Sequence, residues 1–384
     1  MRLLFFIFSF TLIVYFLSSP AETPYNYFTR LTQGLVSGKL YLTEHPQWLN
    51  ELVPIGNKYY VVYPPMPAIL MAPLFFLFGG SISQTLFSNF LGSINVVLVF
   101  ILLKRLNLST KISLLVAIFF GFGTNHWYLS SIGSAWFLAH IVALFFLLLA
   151  LIETFGKQRH LLIGLLIGAS FWARTPVIFT TVFFYIYFWK KFWPINKKSI
   201  YNFLIFSSGI LFFVLLDATY NFLRFGNFSI LIPYYLIPNL NNDPVFKDGL
   251  MNLKFIPRHL EALFIKLPKF QDSFPYLVPS LYSTAIWFTS PALIFIFKAK
   301  KTLLTLSCWV AVLITMLVIT LWAGVGYAQF GYRFIQDVMP FLLILVALGI
   351  GQKPTRWIYL LVLISIAVNL WGVFLINKLN YFTI

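Results

Sequence analysis

Residues 83–105 read SQTLFSNFLGSINVVLVFILLKR, and residues 134–153 read SAWFLAHIVALFFLLLALIE. Each is close to the length an α-helix needs to cross a bilayer, roughly 20 residues at about 1.5 Å per residue. Neither carries the charged face that a surface helix of a soluble protein turns to water. The composition extends this reading to the whole chain: of 384 residues, 60% are hydrophobic, 20% aromatic and only 10% charged, with a mean hydropathy of +0.86. Soluble domains carry about a quarter charged residues, so a soluble fold is excluded. The net charge of +17, from 27 Lys and Arg against 10 Asp and Glu, would suggest nucleic acid in a soluble protein. Here its placement along the chain decides its meaning.

Working outward from the two quoted stretches, apolar runs of spanning length fall near 3–18, 83–103, 112–130, 134–153, 202–221, 283–297, 302–322, 334–350 and 357–376. Residues 3–17 are read as a first membrane helix rather than a signal peptide, since no small-residue cleavage site follows. Two shorter runs, 160–172 and 176–189, lie between basic clusters and form a hairpin turning at Arg174-Thr175-Pro176. That places Arg174 at membrane depth, where a charge requires a partner. The run Met66 to Phe78, interrupted by Pro67 and Pro73, is read as a half-buried helix on the outer side. The expectation is an all-α polytopic membrane protein, a single domain over 1–384 with about eleven crossings, the N-terminus inside and the C-terminus outside the cytoplasmic membrane.

The charges agree with this layout. Arg2, Lys104, Arg105, Lys111, Lys157, Arg159, Lys190, Lys191, Lys197, Lys198, Lys298, Lys300, Lys301, Lys353 and Arg356 fall on inner loops with Glu153 as the one acid, giving +14 inside against +2 outside. The excess orients the protein in the bilayer and implies no nucleic acid. The inner loops are short and hold no P-loop, so no ATP-driven pump is encoded. The lone Cys308 excludes internal disulfides and thiolate metal clusters.

Polar material gathers instead in two outer loops, 19–64 and 226–282, both too long to be plain connectors. Apolar spacing over residues 25–37, stopped by Gly38, predicts a short amphipathic helix on the membrane surface. The order of features is informative. Glu22 follows the first span and is followed in turn by Tyr25, a helix ending in Gly38, and Tyr63-Pro64-Pro65-Met66-Pro67. Further along stand Tyr220-Asn221-Phe222-Leu223-Arg224-Phe225-Gly226, Phe274-Pro275-Tyr276 ahead of Thr289-Ser290-Pro291, and Gly331-Tyr332-Arg333 ahead of Pro340. This pattern resembles the GT-C superfamily of integral-membrane glycosyltransferases, closest to its bacterial protein-mannosyltransferase-like members. The resemblance implies transfer of a sugar from a polyprenyl-phosphate donor to a glycan, lipid or protein acceptor outside the cytoplasmic membrane.

Such a reaction needs a carboxylate to take the acceptor's proton, cations for the departing phosphate and a groove for a polyprenyl chain. The resemblance assigns the base to Glu22, at the acidic position after the first span, although the family has an Asp-Glu pair where this chain has Ala21-Glu22. Glu44, Glu51 and Asp337 are alternatives. Asp337 also suits a helical i, i+4 ion pair with Arg333. Arg174, Arg333, Arg258 and Arg224 are the expected phosphate ligands, since the guanidinium fork matches phosphate oxygens. Tyr25, Tyr63, Pro64, Pro65, His140 and Tyr332 are expected around the sugar, with Tyr234 and Tyr235 near them. His126, Trp127, Trp136 and His140 also fit an interfacial aromatic belt. Glu22, Glu44, Glu51 and His45 match no metal-ligand spacing, so no metal and no cofactor is expected. Two other classes fit the composition: a lipid or glycan transporter or flippase, which calls for internal repeats and deep charges, and a non-catalytic cell-envelope scaffold. No clear repeat is present.

Overall fold

The computed structural model describes residues 1–80, 82–193, 196–238, 240–351 and 354–381. Lys353, counted above with the inner charges, lies outside the described residues. The helices in chain order are α1 (Arg2–Ser18), α2 (Tyr27–Val36), α3 (Met66–Phe78), α4 (Gln84–Arg105), α5 (Thr110–Phe122), α6 (His126–Ile132), α7 (Ala135–Thr154), α8 (His160–Phe171), α9 (Thr181–Tyr187), α10 (Trp189–Phe192), α11 (Lys197–Phe225), α12 (Ile232–Tyr235), α13 (Ile256–Leu260), α14 (Ile286–Thr289), α15 (Leu303–Thr320), α16 (Met339–Ile350) and α17 (Arg356–Asn377). Two small antiparallel hairpins complete the fold. In the first loop, β1 (Leu52–Ile55) pairs with β2 (Lys58–Val61) in the register Leu52 to Val61; in the second, β3 (Lys269–Phe270) pairs with β4 (Leu277–Val278).

Among the described residues, six helices are long and apolar enough to cross a membrane: α4, α7, α11, α15, the continuous stretch Arg333–Ile350, and α17. A seventh is formed if α5 and α6, bent by 53° at Gly123, count as one span. The expected spans 3–18, 160–172 and 176–189 are present as shorter apolar helices. The run 283–297 differs from expectation. Pro291 divides it into the four-residue α14 and a 3₁₀ stretch over Pro291–Lys298, because proline cannot donate to the preceding turn.

Burial separates the helices by role. Arg333–Ile350 is 83% buried and stands at the centre, whereas α11 is only 22% buried and turns Phe203, Leu204, Leu211, Phe212 and Leu215 outward. In a bilayer such a face meets lipid. Helix α11 reaches α8 through glycine. Gly164 and Gly168 of α8, spaced as small-xxx-small, face Gly209 and Phe213 of α11, and a Cβ built on Gly209 would lie 2.6 Å from the Leu165 backbone nitrogen. In lipid, where apolar surface gives no drive for helices to associate, such backbone approach supplies the packing. Helix α8 ends at Phe171, so this contact also sets where Arg174 begins.

The first loop is tied down by buried amides. Gln84, at the start of α4, accepts from the Phe28 backbone N–H through Oε1 at 3.0 Å and donates from Nε2 to the Gly133 carbonyl at 2.7 Å. Helix α2 ends as read from the sequence: Ser37 follows its last residue and Gly38 adopts φ +70°, the left-handed conformation glycine takes without steric cost. Its apolar face is not laid on the open membrane. Tyr27, Phe28 and Leu31 are buried in the protein core, and Thr32 donates to the Ala68 carbonyl of α3 at 3.0 Å.

Candidate active site

Four segments distant in sequence converge where the first long loop meets the helix ends. They are the first loop just ahead of β1, the start of α7, the turn after α8 and the 3₁₀ stretch Arg333–Val338 that leads into α16. From them come Glu51, Trp136 and His140, Arg174, and Arg333 with Asp337.

Asp337 is inaccessible to solvent and accepts two charged or polar donors: His140 Nδ1 at 2.6 Å and Arg174 Nε at 3.1 Å. The Arg174 side chain remains 22% exposed, and its guanidinium lies 4.9 Å from the Phe334 ring centroid. Asp337 thus supplies the partner that Arg174 requires at depth. The i, i+4 pair expected between Arg333 and Asp337 is not formed. In a 3₁₀ helix of about three residues per turn, side chains four apart diverge by roughly 120°, so Asp337 turns to Arg174 while Arg333 points elsewhere. Arg333 lies near the Phe137 and Phe334 rings, and its Nε is buried without a hydrogen-bond partner. It makes no ion pair among the described residues.

Glu51 is the carboxylate that shares Arg333's field. Its Oε2 accepts from Trp136 Nε1 at 2.9 Å, and its backbone N–H donates to the Tyr27 hydroxyl at 3.2 Å. Burial holds its carboxyl above the usual range, against the opposing pull of the Trp136 hydrogen bond and the Arg333 charge. Tyr25 packs on the other side of Trp136, ring centroids 4.7 Å apart, and Tyr63 meets Tyr27 edge-on at 5.4 Å. Tyr234 closes the neighbourhood. Its hydroxyl feels Arg174, Glu51, Asp217 and Arg224, and burial above all pushes its pKa up to about 12.

Other expected residues lie elsewhere. Glu22 is exposed and binds the amino end of α4, accepting from the Gln84 N–H at 2.9 Å and from the Ser83 hydroxyl. It borders a separate cavity of about 380 Å³ with Asn26, Thr29, Arg30, Gln33 and Ser83. Glu44 is exposed and pairs with Arg30 at 3.4 Å. Arg224 is buried, and its donors serve protein acceptors: the Val61 carbonyl at 2.6 Å, Asn221 Oδ1 at 2.7 Å and the Tyr220 carbonyl at 3.3 Å. Arg258 donates to the Ala323 carbonyl and stacks on Phe255 at 4.1 Å. Arg224 is therefore engaged by the protein rather than presented to a phosphate, whereas Arg258 keeps its Nε without a hydrogen-bond partner. Pro64 borders a narrow crevice with Thr175, Asn221 and Tyr234, and Pro65 precedes α3 as its cap. His126, Trp127 and His140 are 0%, 4% and 1% exposed, which removes them from an interfacial belt.

One residue had no signal in the sequence. His259 of the second loop is buried, with Nε2 at 2.8 Å from the Trp322 carbonyl and Nδ1 at 2.6 Å from the Tyr332 hydroxyl. A carbonyl only accepts, so Nε2 carries the proton and Tyr332 donates to Nδ1. Burial lowers the His259 pKa to about 4, keeping it neutral. The contact secures the second loop beside Arg333. Among the described residues, no three of His, Cys, Asp and Glu gather as a metal site.

The helical fold of this chain is shared with a solved membrane-lipid-binding structure. ArnT from Cupriavidus metallidurans, solved bound to undecaprenyl phosphate, is similar to the chain with a TM-score of 0.52 and 12% identity, over 94% of this chain and 62% of that one. The chain therefore spans less than two thirds of that protein's length, and the likeness is one of fold. No family model and no curated protein matches the sequence.

Proposed function

We propose that this chain is a membrane glycosyltransferase that moves a sugar from a polyprenyl-phosphate donor to an acceptor hydroxyl at the outer face of the cytoplasmic membrane, with its N-terminus inside and its C-terminus outside. The observation that carries the reading is the convergence of Arg174, partly open, and Arg333, with its Nε unpartnered, beside Glu51. It occurs in a fold shared with a protein that binds undecaprenyl phosphate.

In this assignment the acceptor oxygen attacks the anomeric carbon while the bond from that carbon to the phosphate oxygen breaks. The electron pair leaves on the lipid phosphate, facing Arg174 and Arg333, and the acceptor's proton passes to Glu51. The leaving group is already a phosphate, so placement and charge stabilisation supply most of the rate. Asp337 and His140 orient Arg174 rather than react. A carboxyl with a raised affinity for protons suits a base, since it takes the proton more readily as the acceptor bond forms.

A second reading keeps Glu22 as the base, favoured by its place in the 380 Å³ cavity with Arg30. Purified protein in lipid, incubated with a panel of polyprenyl-phosphate sugars and read by acceptor mass, tests the activity. The Glu51→Gln and Glu22→Gln variants in the same assay assign the base. Movement of lipid without covalent change would instead indicate a flippase.

A further inference from the structure

We infer that Arg224 is a positioning residue that fixes Glu51 through the β1–β2 hairpin; the inference rests on the assignment of Glu51 as base. Arg224 stands at the end of α11, and its Nη1 donates to the carbonyl of Val61, the last residue of β2. Val61 is the register partner of Leu52, and Leu52 directly follows Glu51. One hydrogen bond from a membrane helix therefore holds the strand end that sets where the Glu51 backbone lies.

The arginine is itself held. Its Nη2 donates to Asn221 Oδ1 at 2.7 Å, and Asn221 Nδ2 donates to Asp217 Oδ2 at 3.0 Å. Asp217, Asn221 and Arg224 are spaced i, i+4 and i+7, so they share one face of α11. The guanidinium also lies 3.7 Å from the Tyr220 ring centroid and 4.7 Å from that of Phe225, and Tyr60 of β2 meets Phe225 edge-on at 5.4 Å. All three polar residues are buried, at 2–6% exposure. This is far more than a solvating charge at a helix end requires. Its product is a rigid attachment of the first loop to α11, bypassing the long covalent path between them.

Lysine cannot reproduce the attachment, because its single ammonium on a flexible stem cannot span the Val61 carbonyl and Asn221 in the fork geometry of arginine. The test uses the full chain in lipid, comparing wild type with Arg224→Lys by backbone hydrogen exchange and by steady-state transfer. The expected result is exchange over residues 52–61 faster by about tenfold, kcat lower by about a hundredfold because the base is misplaced, and an unchanged KM for the donor. Unchanged exchange of the hairpin overturns the inference, as does faster exchange with unchanged kcat. Should Arg224→Lys fail to fold, Asn221→Ala removes one anchor of the arginine and is read in the same way. If Glu51→Gln retains transfer, the role of Glu51 falls, while hairpin exchange in Arg224→Lys still decides separately whether Arg224 holds the loop.

Discussion

Asp337 holds Arg174 through Nε at 3.1 Å, joining residues 163 positions apart inside the membrane-spanning bundle. Asp337→Asn keeps the shape and removes the charge, leaving a part-buried guanidinium uncompensated. Breaking such a pair costs about 3 kcal/mol or more. The variant is expected to unfold at a lower temperature in detergent and to bind donor more weakly, as calorimetry and KM for the donor would show. Unchanged stability and KM would remove Asp337 as the partner that orients Arg174.

The Glu51 carboxyl is raised by burial, so its charged form is disfavoured by the fold. The sign follows: this group's contribution to stability is present below its unfolded pKa and lost as pH rises through the raised folded value. Glu51→Gln is thus expected to be at least as stable as wild type while losing transfer by a hundredfold or more, on the order of a general base's contribution. In the wild type, the acid limb of kcat is expected to fall above the usual range of a free glutamate.

Glu22 accepts from the Gln84 N–H at the start of α4, where a negative charge satisfies unpaired amides and opposes the helix dipole. Glu22→Gln is expected to cost about 1 kcal/mol of stability with transfer retained. Loss of transfer in a folded variant would move the base to the cavity that Glu22 shares with Arg30.

His259 is held neutral by burial, its pKa lowered from 6.5 to about 4. The unfolded state binds more protons between those values, so stability is fully present above about 6.5 and declines as pH falls toward 4. Proteolysis of the second loop is expected to accelerate over that interval, and His259→Gln to flatten the dependence. A profile unchanged by the substitution would refute the role.

The contact between Gly164 and Gly209 admits no side chain. Gly209→Leu is expected to separate α8 from α11, displace Arg174 and reduce the folded yield, whereas Leu211→Ala, on the exposed face of the same helix, is tolerated. Size-exclusion profiles of the two purified variants distinguish these outcomes.

Much of this protein was determined by its sequence. The bilayer admits only backbone whose polar groups are satisfied by the protein itself, and runs of about 20 apolar residues announce helices that do so. The need of Arg174 for a partner was legible for the same reason: charge at membrane depth is costly alone. The tertiary structure decided which partner it took. An i, i+4 pairing between Arg333 and Asp337 assumed an α-helical turn, and the 3₁₀ geometry of Arg333–Val338 rotated Asp337 toward Arg174 and His140 instead. Glu22, Glu44 and Glu51 were likewise equivalent as letters in one loop. What distinguishes Glu51 is a hairpin pinned by Arg224 at Val61 and the indole of Trp136, contacts across 163 and 85 positions. Local periodicity reports on neighbours within a turn or two, whereas the environment of a carboxylate is set by groups brought to it from distant segments.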